Sequence, residues 1–181
     1  MRLLEALRER RGSGDALIHP PGCQILAVGA ALKLSGARLQ TRTMTLSYRL
    51  RSTRDDFRIF TFQRAMATKA KIIGGKGGAG VKLIGHVPVQ ADASEGPRVY
   101  GVYMGRSVPL GDEVAVAVCF KYPSTVTEDP WVSYTARYEV GRVDISVDAP
   151  RSLARSDDQP MTFPVPNFVP FHRYRLEWHR P

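Results

Sequence analysis

The chain is poor in the side chains that most metal and thiol chemistry requires. Its 181 residues hold two cysteines, Cys23 and Cys119, and four histidines, His19, His86, His172 and His179. The cysteines form no CxxC pair. They read as buried thiols, and an intracellular, reducing setting is expected. No histidine pairs with another at a ligand spacing, so neither a zinc site nor any cofactor is expected. No apolar run approaches the ~18 residues a spanning helix needs. The opening MRLLEALRERRGSG lacks the apolar centre of a secretory signal. There is no GxSxG. The acidic pairs Asp55–Asp56, Asp112–Glu113, Glu128–Asp129 and Asp157–Asp158 sit in turn contexts, where solvated loops explain them better than acid–base catalysis. These absences point away from an enzyme.

What the chain does have is positive charge, unevenly placed. The formal net charge is +9. Residues 33–82 hold twelve basic and two acidic side chains, whereas residues 83–181 hold ten basic and twelve acidic. One fifty-residue block therefore carries the excess. It is either a solvated basic face or a surface for a polyanion.

Within that block lies KIIGGKGGAGVKL, Lys71 to Leu83. A phosphate-cradling loop needs a strand before its glycines, a helix after them, and Gly-Lys-Ser/Thr at the turn. Here Val81 separates Gly80 from Lys82, and no hydroxyl residue follows the lysine. The pattern around the loop reads as helix, loop, strand, the reverse of the required order. The glycines read as a connector whose lysines touch an anion only as charges.

Residues 1–22 form the first of two expected units. RLLEALRERR predicts a short amphipathic helix with Leu3, Leu4 and Leu7 on one side, ended by Gly12. A flexible arm with Pro20 and Pro21 follows. Ten residues are too few for an isolated helix, so the segment must dock on its own body, a second copy or a membrane. Residues 23–181 read as a single domain. CQILAVGAALKLSG is apolar enough for a buried strand. From Gln40 to Arg51, Met44, Leu46, Tyr48 and Leu50 alternate with a polar face carrying arginine, as in a half-buried strand. Phe62, Ala65, Met66, Ala70 and Ile73 then fall at helical spacing, which predicts a helix. Further strands are expected from Val81, over Arg98–Met104, Glu113–Tyr122, Trp131–Tyr138 and Arg142–Val147, and at the C-terminal FHRYRLEW. The small residues Ala115, Ala117 and Cys119 on one face of Glu113–Tyr122 suggest close packing of the central helix there. The proline-rich stretch 149–170 reads as a long surface loop. The expected fold is α+β: a twisted antiparallel β-sheet packed against one or two helices, with a short N-terminal helical arm.

In this order of elements the chain resembles the matrix proteins of rhabdoviruses, in particular those of plant-infecting members. Arg51–Ser52, Phe57–Arg58 and Gly85 stand where that family's pattern places them. YGVYMGRSVPL and YEVGRVDISV resemble its later strands. The likeness spans roughly residues 41–147. It departs from the family in lacking a lysine-rich tail and a Pro-Pro-x-Tyr motif. The resemblance implies a non-catalytic structural protein of the virion. Such a protein associates with itself and condenses the nucleocapsid, a nucleoprotein–RNA complex, against an anionic membrane. It supports assembly and budding and meets the tail of an envelope glycoprotein. It would reside beneath the envelope and, in the host, in the cytoplasm or nucleus as a peripheral membrane protein. The alternative, read from charge alone, is a nucleic-acid-binding protein such as a capsid protein or silencing suppressor.

The candidate anion-binding side chains are Arg49, Arg51, Arg54, Arg58, Lys69, Lys71, Lys76 and Lys82. The candidates for self-association or membrane docking are Leu3, Leu4, Leu7, Pro20 and Pro21.

Overall fold

The computed structural model describes residues 22–35, 41–65, 69–76, 80–88, 97–122, 131–148, 161–164 and 172–177. The arm residues Leu3, Leu4, Leu7, Pro20 and Pro21 lie outside them. The described chain is built from eleven strands: β1 (Cys23–Ser35), β2 (Thr41–Ser52), β3 (Phe57–Ala65), β4 (Lys69–Lys76), β5 (Val81–Pro88), β6 (Pro97–Val108), β7 (Glu113–Tyr122), β8 (Trp131–Ala136), β9 (Arg142–Asp148), β10 (Met161–Pro164) and β11 (His172–Glu177). Six form one sheet in the order β10-β9-β1-β2-β7-β4, three form a second in the order β3-β6-β5, and β11 pairs with β8. All pairings are antiparallel except β1 with β9.

The α+β expectation is thereby corrected, since the described residues contain no helix. Of the residues assigned to a central helix, Phe62 and Ala65 belong to β3 and Ala70 and Ile73 to β4, while Met66 lies outside the described residues. The physical reason is visible in hindsight. FRIFTF is rich in aromatic and β-branched side chains, which favour a pleated surface. Phe60, Phe62 and Arg64 also alternate with Ile59, Thr61 and Gln63. Lys69, Ala70, Lys71 and Ile72 alternate as well. Two short period-2 runs laid end to end can imitate a 3.6-residue stripe. Gly74 and Gly75, read as a helix stop, lie inside β4 next to a bulge, where glycine is at home. The small face of β7 is therefore not the seat of a central helix. The stretch 149–170 contributes β10, which pairs with β9.

The two larger sheets face each other across one core. Tyr48 of β2 meets Phe60 and Phe62 of β3, with ring centroids 4.8 and 5.2 Å apart. Phe120 of β7 meets Phe62 and Tyr100, at 5.9 and 5.1 Å. Aromatic pairs at such distances add roughly 0.5–1.5 kcal/mol each beyond area burial. The inward positions of β2 (Met44, Leu46, Tyr48, Leu50) and β7 (Val114, Val116, Val118, Phe120) are all buried. That alternation fixes the register, because a one-residue slip would expose the whole set.

Candidate functional site: a lysine corner on the six-stranded sheet

The same alternation defines the opposite face of this sheet. Its centre carries small side chains: Ala27, Gly29 and Ala31 on β1, Thr45 and Ser47 on β2, Ala115, Ala117 and Cys119 on β7. Charge sits around them. Along one end, register aligns Asp148, Lys33, Thr43, Lys121 and Lys69 in a single row across β9, β1, β2, β7 and β4. In the next row Lys71 stands opposite Cys119.

Most cations of this face are paired. Lys33 Nζ lies 3.1 Å from Asp148 Oδ2, and Arg142 binds Asp144 at 2.9 Å. Glu113 receives both arginines of β2, Arg51 Nη2 at 2.7 Å and Arg49 Nε at 3.7 Å. The corner formed by β4 and β7 is different. Lys69 is directly opposite Lys121, and Lys71 is two residues further along β4. None of the three has an ion-pair partner among the described residues. Like charges directly opposite each other on neighbouring strands are destabilising.

Beside these lysines the β4 ladder is interrupted between Ile72 and Gly74. Ala70 and Ile72 pack inward against the core, whereas Ile73 at the interruption is 50 % exposed. A bulge re-aims side chains, and here it turns a large apolar group to solvent on an edge strand.

The eight basic residues picked out from the sequence do not form one surface. Lys69 and Lys71 belong to the corner. Arg49 and Arg51 share its face but are held by Glu113. Arg54 lies in the β2–β3 turn with Nε 2.9 Å from Asp56 Oδ1. Arg58 is exposed on β3, in the other sheet. Lys82, on β5, places Nζ 5.8 Å from the centre of the Tyr103 ring. Lys76 ends β4 opposite Ala115. Lys121 was missed because it falls in the half of the chain without net positive charge. Its place in the alternation of β7 was legible, but its neighbour Lys69 was not, while β4 read as helix.

The glycine–lysine connector joins two strands, β4 and β5. The element that follows it is the strand β5, whereas a phosphate-cradling loop leads into a helix N-terminus. No group of three or more histidine, cysteine, aspartate or glutamate side chains among the described residues could hold a metal ion. No helix among them is long and apolar enough to cross a membrane, which says nothing of spanning by strands.

Neither a known protein family nor a curated protein matches this sequence. Solved structures do resemble it. A candidate nutrient-binding protein from Legionella pneumophila subsp. pneumophila str. Philadelphia 1 superposes with a TM-score of 0.50 at 9 % identity, over 88 % of this chain and 67 % of that one. A candidate protease from Parabacteroides distasonis ATCC 8503 gives a TM-score of 0.43 at 12 % identity, over 89 % of this chain and 36 % of that one. The first likeness concerns the fold alone, and the second carries no argument.

Proposed function

We propose that the chain is a non-catalytic adaptor that docks on an anionic membrane surface through the β4 corner of its six-stranded sheet. The observation that carries this reading is the exposed Ile73 beside Lys69, Lys71 and Lys121. Lysines on an edge strand also serve to block pairing with other chains. That role does not call for an exposed isoleucine among them. An exposed apolar residue on the same edge strand as unpaired cations suits a bilayer interface, where the apolar group enters the headgroup boundary and each cation gains about 1 kcal/mol from anionic lipid.

The resemblance to matrix proteins included a helix that is strand in this chain. The reading therefore rests on the chemistry of the corner. Bridging to a nucleocapsid, self-association and a place in a virion belong to the resemblance alone. The test is competition. The protein is mixed with phosphatidylserine vesicles and a single-stranded RNA of mixed sequence over a range of salt. Retention on vesicles in the presence of RNA supports the proposal. Transfer to RNA, with a steep salt slope and no lipid preference, replaces it with nucleic-acid binding.

A further inference from the structure

The lysine corner is one edge of a wider open surface. At the centre of the outer face Ala31 and Ser47 are exposed, and none of the small residues named above is buried. Alanine and glycine are poor strand formers, and a face that meets only water gains more from threonine or charged side chains. Here they leave a smooth floor. It measures about 19 Å across β9, β1, β2, β7 and β4, and about 27 Å along β2 from Thr43 to Arg51.

Charge stands at both ends of that floor. Lys33, Lys121 and Lys69 share the row at one end, with Lys71 in the next. Arg49 and Arg51 stand at the other end of β2, beside Glu113. With β9 included, the described side chains of this face hold seven basic groups and three acidic ones, an excess of four positive charges. The acidic groups, Asp148, Asp144 and Glu113, sit in ion pairs open to solvent. Such pairs are weak, so their cations can turn to another anion.

The excess decides what suits the face. A second copy stacked on it in two-fold fashion would bring two positive surfaces together. A flat anionic surface meets the floor and both charged ends at once.

We infer that the whole outer face of the six-stranded sheet lies flat on the anionic membrane, with the lysine corner at one end of the footprint and Arg49 and Arg51 at the other. This rests on the membrane reading and adds the orientation, sheet-on rather than edge-on through β4. It places the uncharged Ala31 and Ser47 within the contact.

The experiment uses the full chain with phosphatidylserine vesicles at 0.15 M salt, where exposed charges act over only about 8 Å. Ala31 lies in the row of Lys71 but three strands away, roughly 14 Å. Ala31→Glu and Ser47→Glu should each weaken vesicle binding by about fivefold or more. Arg58→Gln makes the same change of charge on the other sheet and should alter binding little. A labelling arm avoids the added charge. In the double variant Ala31→Cys, Cys119→Ser, the one native cysteine left is Cys23, which is fully buried. A bulky polyethylene-glycol maleimide should label position 31 in free protein and lose that labelling on the vesicles. Suppose the chain binds vesicles, position 31 stays as reactive as in solution, and both glutamate variants bind like the unaltered chain. The flat orientation is then overturned and the corner reading stands. Failure of the unaltered chain to bind vesicles overturns both.

Discussion

Lys69 and Lys121 are cross-strand partners on the outer face of the six-stranded sheet, with no carboxylate beside them among the described residues. Their opposition works against stability, and substitution of either should show it. Lys121→Thr is expected to leave folding intact or to stabilise by a few tenths of a kcal/mol, since cross-strand pairs are worth about 0.2–1 kcal/mol. Urea unfolding at low salt measures it, and the gain should shrink at high salt.

Glu113 has the opposite role. It neutralises Arg49 and Arg51 on the same face, and all three side chains are substantially exposed. Glu113→Gln should change stability by less than about 1 kcal/mol, the usual limit for exposed pairs. It should strengthen binding to anionic vesicles, because it releases two cations. Titration with vesicles of increasing phosphatidylserine content checks this.

Two glycines separate space from backbone angle. A Cβ on Gly141 would stand 2.7 Å from the Leu26 carbonyl oxygen, and backbone cannot easily yield. Gly141→Ala should destabilise by about 1–3 kcal/mol, as overpacking does. Gly29 has an ordinary contact instead, 3.6 Å to Ser47 Cβ, and Gly29→Ala should be neutral or stabilising. Denaturant unfolding of both variants tests the outer face and the junction of β1 with β9 together.

The core tyrosines set the alkaline limit. Burial raises the phenols of Tyr48 and Tyr134 well above their ordinary value of 10.0. A raised value in the folded state means that the neutral phenol is favoured there. This stabilisation is complete below about pH 10 and is lost as pH rises towards the folded values. Arg64 pulls both values down, so Arg64→Gln should move tyrosine ionisation to still higher pH. Ultraviolet titration of the phenolate band reads the shift directly.

Much of the sheet was legible because one face of a strand must be apolar when it covers a core. β2 and β7 announced themselves through Met44, Leu46, Tyr48 and Leu50 and through Val114, Val116, Val118 and Phe120. β3 and β4 did not, because the ladder of each is bulged and their joined patterns fit a helical period as well as two strands. That single misreading hid the site. As a helix, residues 69–73 would have put Lys69 and Ile73 on one face and turned Lys71 to the opposite side. As a bulged edge strand they lie side by side. Lys121 is 45 or more residues away from them in sequence, so only strand pairing could bring it there. The pairing of Arg64 with Arg98 is equally invisible until β3 is placed beside β6.

The most direct test of the docking corner is co-flotation with phosphatidylserine and phosphatidylcholine vesicles at low salt. Three proteins are compared: the unaltered chain, Ile73→Ser, and Lys69/Lys71/Lys121→Glu. The unaltered chain should float with the anionic vesicles only. Removing three lysines, at about 1 kcal/mol each, should weaken binding by roughly a hundredfold, with the reversed charge adding to the loss. Ile73→Ser should weaken it further than its unchanged charge would predict. Flotation of all three proteins alike would contradict the account, as would failure of the unaltered chain to float.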